Sequence, residues 1–204
     1  EKITVTLESA DELPKGNEPV DELIGKKFIM YIGRPTPHKN LRRLIDAFAL
    51  LQKKYPDLTL ALAGKKDSNY ARHETYVNEH GIKNVVFTGF ISDEQLRWMY
   101  ENTAVYCFPS LSEGFGLPGL EAMLHGAPVA SSTATCLPET HGDAAHYFDP
   151  FSVEDIAKSI DDILSDDKLR NELVKKGKKH VKTFSWQRMA EQTLAVYEKY
   201  GRKS

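Results

Sequence analysis

The sequence FIMYIG at residues 28–33 is an apolar run that ends in glycine, and LRRLIDAFALL follows it at residues 41–51. Spacings of three and four residues put the apolar positions of the second segment on one helix face: Leu41, Leu44, Ile45, Phe48 and Leu51. Asn40 is a natural N-cap for this helix, and Tyr55-Pro56 ends it. A buried strand followed by an amphipathic helix is the repeating unit of a parallel sheet.

The same alternation continues along the chain. Apolar runs predict six strands, at about residues 28–33, 58–63, 85–88, 104–108, 128–131 and 145–148. Amphipathic patterns predict further helices near residues 69–80, 93–101, 118–125, 152–165, 167–181 and 185–200. The strands are apolar on both sides, which is typical of strands covered by helices on both faces. We therefore predict an α/β fold: a doubly wound, Rossmann-like parallel sheet of about six strands with helices on both faces.

Residues 1–25 differ from the rest of the chain. They carry seven acidic residues against two lysines, with proline and glycine between them. We interpret them as a solvated lead-in or interdomain segment and residues 26–204 as one domain. The alternating stretch Ile3–Leu7 could pair as an edge strand. The chain starts with Glu1 rather than Met, which favours a chain that begins partway through a longer protein, with processing as the alternative.

Composition excludes several classes of protein. The chain has 204 residues, 41% hydrophobic and 27% charged, as in an ordinary globular domain. A net charge of −2 provides no overall basic field for nucleic acid. The longest apolar runs are about five residues, whereas a membrane-spanning helix needs about twenty. Two cysteines without partner spacing indicate a reducing compartment, and we predict a cytoplasmic location.

Charge is uneven near the C-terminus. Residues 168–182 carry a local charge of +6, from seven Lys/Arg against one Glu, and residues 154–167 carry −5, from six acids against one Lys. We interpret the two segments as solvated helix faces that attract each other. The alternative is that the lysines contact an anionic membrane surface, which would place the protein peripherally at the inner membrane face.

Two loops are candidates for a ligand site, because ligands of doubly wound sheets bind beyond the carboxyl ends of the strands. The first loop, residues 33–40, follows the strand at 28–33. Gly33 permits close backbone approach, and Arg34 and Lys39 flank the start of the next helix. Two cations at a helix N-terminus form a subsite suited to a diphosphate.

The second loop, residues 109–121, follows the strand at 104–108. Gly114 and Gly116 free the backbone, so that amides near Leu117 can face an anion. Pro118 is predicted to be the first residue of the helix that follows.

Glu113 and Glu121 border the same predicted cavity. One carboxylate near a helix N-terminus can be explained by the helix dipole. Two carboxylates seven residues apart, in the loop and in the predicted first turn of the helix, favour recognition of paired hydroxyl groups. A vicinal diol offers two O–H donors to one carboxylate.

The second loop also contains the pattern G-x-G-x-x-G, at Gly114, Gly116 and Gly119. A dinucleotide-binding site would place this pattern directly after the first strand and an acid at the end of the next strand. Here the next strand ends in the acid-free segment Ser131–Thr133, and Glu139 lies in a loop. We therefore reject a nicotinamide-dependent dehydrogenase.

Other polar residues are interpreted as structural. His141 and His146 are five residues apart without Cys or further His nearby, so we predict structural roles rather than a metal site. Ser110 and Ser112 have no local base and are predicted to be hydrogen-bonding loop residues rather than nucleophiles.

With both loops in view, the chain resembles the C-terminal, donor-binding half of a family 4 retaining glycosyltransferase of the GT-B fold. The match covers residues 26–200 and rests on short motifs: Gly33-Arg34 with Lys39-Asn40; Val86-Phe87-Thr88-Gly89-Phe90-Ile91; Pro109-Ser110; Glu113-Gly114-Phe115-Gly116-Leu117-Pro118 with Glu121-Ala122; Gly126-Ala127-Pro128-Val129; Pro138-Glu139; and Phe184-Ser185-Trp186.

The resemblance implies a role for each site residue. Arg34 and Lys39 would hold the donor diphosphate, assisted by the backbone amides of Gly116 and Leu117. Residues 26–204 would then be a nucleotide-sugar-binding domain with C-terminal helices.

The remaining contacts to the donor follow from the same family pattern. Glu113 would contact the sugar hydroxyls at the catalytic centre, and Glu121 the ribose diol. The backbone around Phe90 and Ile91 would meet the base.

The resemblance also implies an activity, the transfer of a hexose with retained anomeric configuration and without a metal or other cofactor. Residues around Ser131-Ser132, Leu137-Pro138-Glu139 and Gly142–Ala145 look most like mannosyltransferases that build polysaccharides, which favours GDP-mannose over a UDP-hexose. The glycan or lipid-linked acceptor would be bound by an N-terminal half that this chain lacks, so the isolated chain is predicted to be inactive.

Two other functions are alternatives to a transferase. They are a non-enzymatic nucleotide-sugar-binding module and a GT-B phosphorylase with a lysine-bound cofactor.

In the family that this chain resembles, the final helix packs against the N-terminal half. The apolar stripe of this helix, from Trp186 to Tyr197, is therefore predicted to be partly exposed in this chain.

Overall fold

The computed structural model describes residues 3–16 and 18–201 and contains one six-stranded sheet. All strand pairs are parallel, and the order is β3-β2-β1-β4-β5-β6. The strands are β1 Phe28–Ile32, β2 Thr59–Ala63, β3 Val85–Gly89, β4 Val105–Phe108, β5 Val129–Ser132 and β6 Ala145–Phe148. The six predicted strands are confirmed. The predicted lead-in and domain also include Glu1, Lys2, Asn17 and residues 202–204, which lie outside the described residues.

Among the described residues, eight α-helices connect and cover the strands. They are α1 Leu41–Leu51, α2 Ser68–Glu79, α3 Asp93–Asn102, α4 Leu117–Leu124, α5 Leu137–His141, α6 Val153–Ser165, α7 Asp167–His180 and α8 Trp186–Tyr200. The sequence did not predict α5, because five residues are too short to show a helical period. Helix α4 begins one residue earlier than predicted. Pro118 is therefore the second residue of α4, and Glu121 lies in its second turn rather than its first.

Two apolar cores lie on opposite faces of the sheet. Neighbouring residues of β1 alternate between them: Ile29 and Tyr31 pack with α1, α2 and α6, and Phe28 and Met30 pack with α3 and α4. This alternation follows from the period-two geometry of a strand. The predicted doubly wound architecture is confirmed.

The segment before β1 is partly packed on the domain. Val20 and Leu23 are buried in the same core as Met30. Residues 3–7, in contrast, form no strand, and Ile3 and Val5 are 82% and 71% exposed. The predicted edge strand is therefore wrong, because alternation alone supplies no partner strand.

The C-terminal helices expose much of their surface. No residue of α8 is buried, and Leu194 and Tyr197 are 55% and 70% exposed, so the predicted bare stripe is confirmed. Within residues 3–16 and 18–201, no ion pair joins an acid of α6 to a base of α7, although the two helices are in contact. The described helices include none that is both long enough and apolar enough to cross a membrane.

Candidate functional site

The candidate site lies where β1 and β4 run side by side. These strands pair in parallel, with Ile29 opposite Val105 and Met30 opposite Tyr106. After β1 the chain turns towards β2, whereas after β4 it turns towards β5 on the other side. The two loops leave the sheet in opposite directions and open a crevice between them, at the topological switch point of the sheet. The two predicted loops therefore border one crevice.

An ion pair joins the two loops. Lys39 Nζ lies 2.6 Å from Glu113 Oε1, and their side chains are 21% and 12% exposed. Ser110, which is fully buried, donates to the same oxygen at 2.6 Å. An ammonium group has three N–H donors and a carboxylate has two oxygens. Lys39 therefore keeps N–H donors that can bind an anion, and Glu113 keeps a second oxygen, Oε2, that can accept from a hydroxyl group.

Asn40 lies at the N-cap position of α1, but its side chain ties the two loops together instead of capping the helix. It has a left-handed backbone conformation (φ 60°), and its side chain makes no cap hydrogen bond. Its Nδ2 donates to the carbonyls of Pro109 and Pro150 at 2.9 and 2.8 Å. Arg43 donates to its Oδ1 at 2.9 Å. The predicted N-cap position of Asn40 is confirmed, but its side chain does not cap the helix, because Arg43 occupies Oδ1, the oxygen that a cap would use.

Three of the predicted site residues line one cleft of about 600 Å³, within the size range of small-molecule sites. They are Arg34, Phe90 and Ile91, and Asp67 and Asp93 line the cleft with them. The Arg34 side chain is 78% exposed, and its Nε lies 3.5 Å from Asp67. Phe90 is 85% exposed, which leaves it free to cover a ligand.

The other predicted site residues do not line this cleft: Lys39, Glu113, Gly116, Leu117 and Glu121. Lys39 and Glu113 meet each other at the crevice. Gly116 and Leu117 are the N-cap and first residue of α4. The first backbone N–H groups of a helix have no partner inside the helix and can meet a ligand.

Glu121 is half-buried, and the negative charge of Asp93, which lines the cleft, is part of its surroundings. Burial is the main cause that raises its pKa, and the negative charges of Asp11 and Asp93 raise it further. A hydrogen bond from the Tyr100 hydroxyl, at 3.3 Å from Oε2, acts in the opposite direction and lowers its pKa. Asp93 thus lines the cleft and lies near enough to Glu121 to act on it. The sequence did not single out Asp93 as a site residue. Its only signal in the sequence is its position at the start of a predicted helix, directly after Ser92.

The histidines have separate structural partners. His141 is buried between Ser131 and the Gly116 carbonyl, and His146 lies 3.1 Å from Asp162. In the part of the chain that the structure describes, no three His, Cys, Asp or Glu side chains gather as a metal site would require.

Comparison with known proteins identifies the family. Residues 16–180 match the family described as Glycosyl transferases group 1. The chain belongs to this family. It is 35% identical over 182 residues to O-antigen chain mannosyltransferase B of Escherichia coli, covering 87% of this chain and 47% of that protein. It is 34% identical over 187 residues to MMP alpha-(1->4)-mannosyltransferase of Mycolicibacterium hassiacum, covering 89% of this chain and 45% of that protein.

This glycosyltransferase chain spans about half the length of these relatives. It superimposes on the C-terminal domain of a glycosyl transferase group 1 family protein (LpcC) from Francisella tularensis with a TM-score of 0.70. The two are 29% identical, and the match covers 84% of this chain and 94% of the other. The resemblance to the C-terminal half of a family 4 GT-B glycosyltransferase is confirmed.

A second solved structure is similar to this chain in fold. Anabaena Alr3699/HepE, in complex with UDP and glucose, matches with a TM-score of 0.77 at 22% identity. The match covers 87% of this chain and 49% of the other.

Proposed function

We propose that this chain is the donor-binding half of a retaining hexosyltransferase that moves mannose from a nucleoside-diphosphate sugar to a glycan or lipid-linked acceptor. The observation that carries the proposal is the Lys39–Glu113 pair at the switch point of the sheet. It places a cation suited to phosphate and a carboxylate suited to sugar hydroxyls 2.6 Å apart. The named mannosyltransferase relatives, at 34–35% identity, support the choice of sugar.

The chemistry needs stabilisation of a leaving diphosphate. Cleavage of the sugar–phosphate bond leaves an oxocarbenium-like sugar and a departing nucleoside diphosphate. The cations Arg34 and Lys39 and the N–H dipoles of Gly116 and Leu117 would stabilise this charge without a metal ion. Glu113, held by Lys39 and Ser110, would accept a sugar hydroxyl at Oε2 and orient the ring. The acceptor would then attack the face from which the diphosphate leaves.

Asp93 supports a guanine nucleotide. Asp93 lines the cleft together with Phe90 and Ile91, where the base is proposed to bind, and we propose that its carboxylate faces the base. Guanine presents two adjacent N–H donors, from N1 and N2, which one carboxylate accepts together. Uracil presents a single N–H between two carbonyl oxygens, and a carboxylate repels these oxygens. A GDP sugar is therefore favoured over a UDP sugar.

We expect this chain to bind GDP but to transfer no mannose on its own, because an oriented acceptor supplies much of the rate of a two-substrate reaction. Calorimetric titration with GDP and UDP, together with a transfer assay from GDP-mannose, tests both parts. Robust mannose transfer by these 204 residues would contradict the proposal that this chain binds only the donor and needs another part of the enzyme for the acceptor. If the chain binds donor but remains inactive with an N-terminal half and acceptors supplied, it is a non-enzymatic nucleotide-sugar-binding module.

The basic face of α7 is proposed to contact anionic lipid. The lysines of the segment 168–182 are exposed except Lys176, and those of α7 find no acidic partner on α6 among the described residues. We expect the chain to sediment with vesicles containing phosphatidylserine at low salt and to be released at about 0.5 M salt, because ions screen such contacts. Replacing Lys175, Lys178 and Lys179 by Gln should abolish sedimentation. Equal sedimentation of this variant, or equal binding to neutral vesicles, would contradict the proposal.

A further inference from the structure

We propose that His141 is a positioning residue for the donor diphosphate: its Nε2–H holds the Gly116 carbonyl and thereby aims the Leu117 amide at the ligand. The inference rests on the proposed function and deepens it. It concerns a residue that the family pattern leaves without a role and that lies 25 positions from Gly116 in the sequence.

The surroundings of His141 define which ring nitrogen carries the proton. The ring is fully buried, with Nε2 3.2 Å from the Gly116 carbonyl oxygen and Nδ1 3.2 Å from Ser131 Oγ. A carbonyl oxygen can only accept, so Nε2 carries the hydrogen and Nδ1 accepts from the Ser131 hydroxyl. Burial lowers the pKa of His141 to about 4, so the ring is neutral near pH 7.

The hydrogen bond to Gly116 acts on the amide of the next residue. The Gly116 carbonyl and the Leu117 N–H belong to one planar peptide group and point in opposite directions. The Gly119 N–H also donates to this carbonyl, at 3.0 Å, so His141 is a second donor behind it, and the two donors together fix the direction of the N–H in front. They also polarise the peptide, which strengthens the bond that the N–H makes to an anion. Gly116 has a φ of 99°, so this orientation is one that other residues rarely adopt.

Gly119 shows how closely the imidazole lies against α4. A Cβ at Gly119 would lie 2.5 Å from Cε1 of His141 and would overlap Nε2. The third glycine of the G-x-G-x-x-G pattern therefore makes room for His141, whereas in a dinucleotide site it serves helix–strand packing. A side chain at position 119 would therefore displace the ring from the Gly116 carbonyl.

A matched pair of variants separates positioning from packing. His141→Gln has a side chain of similar reach and keeps an N–H donor, and His141→Met has the same length without one. The affinity of each is measured for GDP and guanosine, or for UDP and uridine if the unaltered chain binds UDP more tightly. We expect His141→Met to weaken diphosphate binding about fivefold, as for one hydrogen bond, and to leave nucleoside binding unchanged. His141→Gln should restore diphosphate affinity.

Two results with these variants would overturn the inference. One is unchanged diphosphate affinity in His141→Met, and the other is parallel loss of diphosphate and nucleoside affinity. Failure of the unaltered chain to bind either diphosphate would instead contradict the proposed function.

If the variants do not fold, ¹H–¹⁵N spectra of the unaltered protein provide the second test. We expect the Nε2–H tautomer of His141, and a Leu117 amide signal that shifts with the diphosphate but not with the nucleoside. The Nδ1–H tautomer, or a Leu117 signal that does not move, would overturn the inference.

Discussion

Replacing Arg34 and Lys39 together by Met is expected to weaken GDP binding by a factor of about 100 or more. Hydrogen bonds to charged groups contribute about 1.5–3 kcal/mol each, and the proposed site loses two cations that face the diphosphate. Calorimetric titration with GDP measures the effect. Guanosine, which has no phosphate, should bind both proteins equally.

The control for this prediction removes the same charge elsewhere. Lys53 follows α1, Lys83 precedes β3, and both are exposed. They lie towards the amino ends of the strands, opposite the carboxyl ends where the candidate site lies. The Lys53→Met, Lys83→Met variant should keep GDP affinity within about twofold, since screening limits long-range attraction at ordinary salt. If the Arg34, Lys39 variant binds GDP as well as this control does, the proposed diphosphate site is wrong.

Lys39 also has a structural partner, so stability must be followed in parallel. Without Lys39, the carboxylate of Glu113 stays largely buried without its counter-charge. Adding Glu113→Gln removes that charge and should restore the thermal unfolding temperature without restoring GDP affinity. Recovery of both would indicate that the loss of binding came from misfolding.

Asp93→Asn is expected to reduce the preference for GDP over UDP by a factor of about 10 or more. A bidentate pair with one base edge contributes about 1–3 kcal/mol of discrimination. Asn retains one acceptor oxygen but presents an N–H group to the second guanine donor. Titration of both nucleotides measures the ratio, which should fall mainly through weaker GDP binding.

Glu94→Gln is the matched control. Glu94 is the next residue in the first turn of α3, so the variant makes the same change to the charge near the helix N-terminus. Glu94 does not line the cleft. Its variant should keep the preference of the unaltered chain. An equal fall in both variants would show that the helix dipole, and not a contact with the base, determines the preference.

Much of the candidate site could be located from sequence because strand direction is a local property. A run such as residues 28–33 followed by an amphipathic helix predicts a parallel strand, and the residue after it then lies at the carboxyl edge. Arg34 and Glu113 follow such strands, so their side of the sheet was predictable. The family motifs supplied the expected roles.

The sequence by itself thus determined the six strands, the helices other than α5 and the edge that carries the loops, since each depends on local periodicity. Only the tertiary structure decided that β1 lies beside β4, which brings Lys39 to Glu113 across 74 positions. It also decided that Asn40 bridges loops and that His141 lies behind Gly116. The physical reason is that these contacts depend on strand order and packing, which no local pattern of apolar residues records.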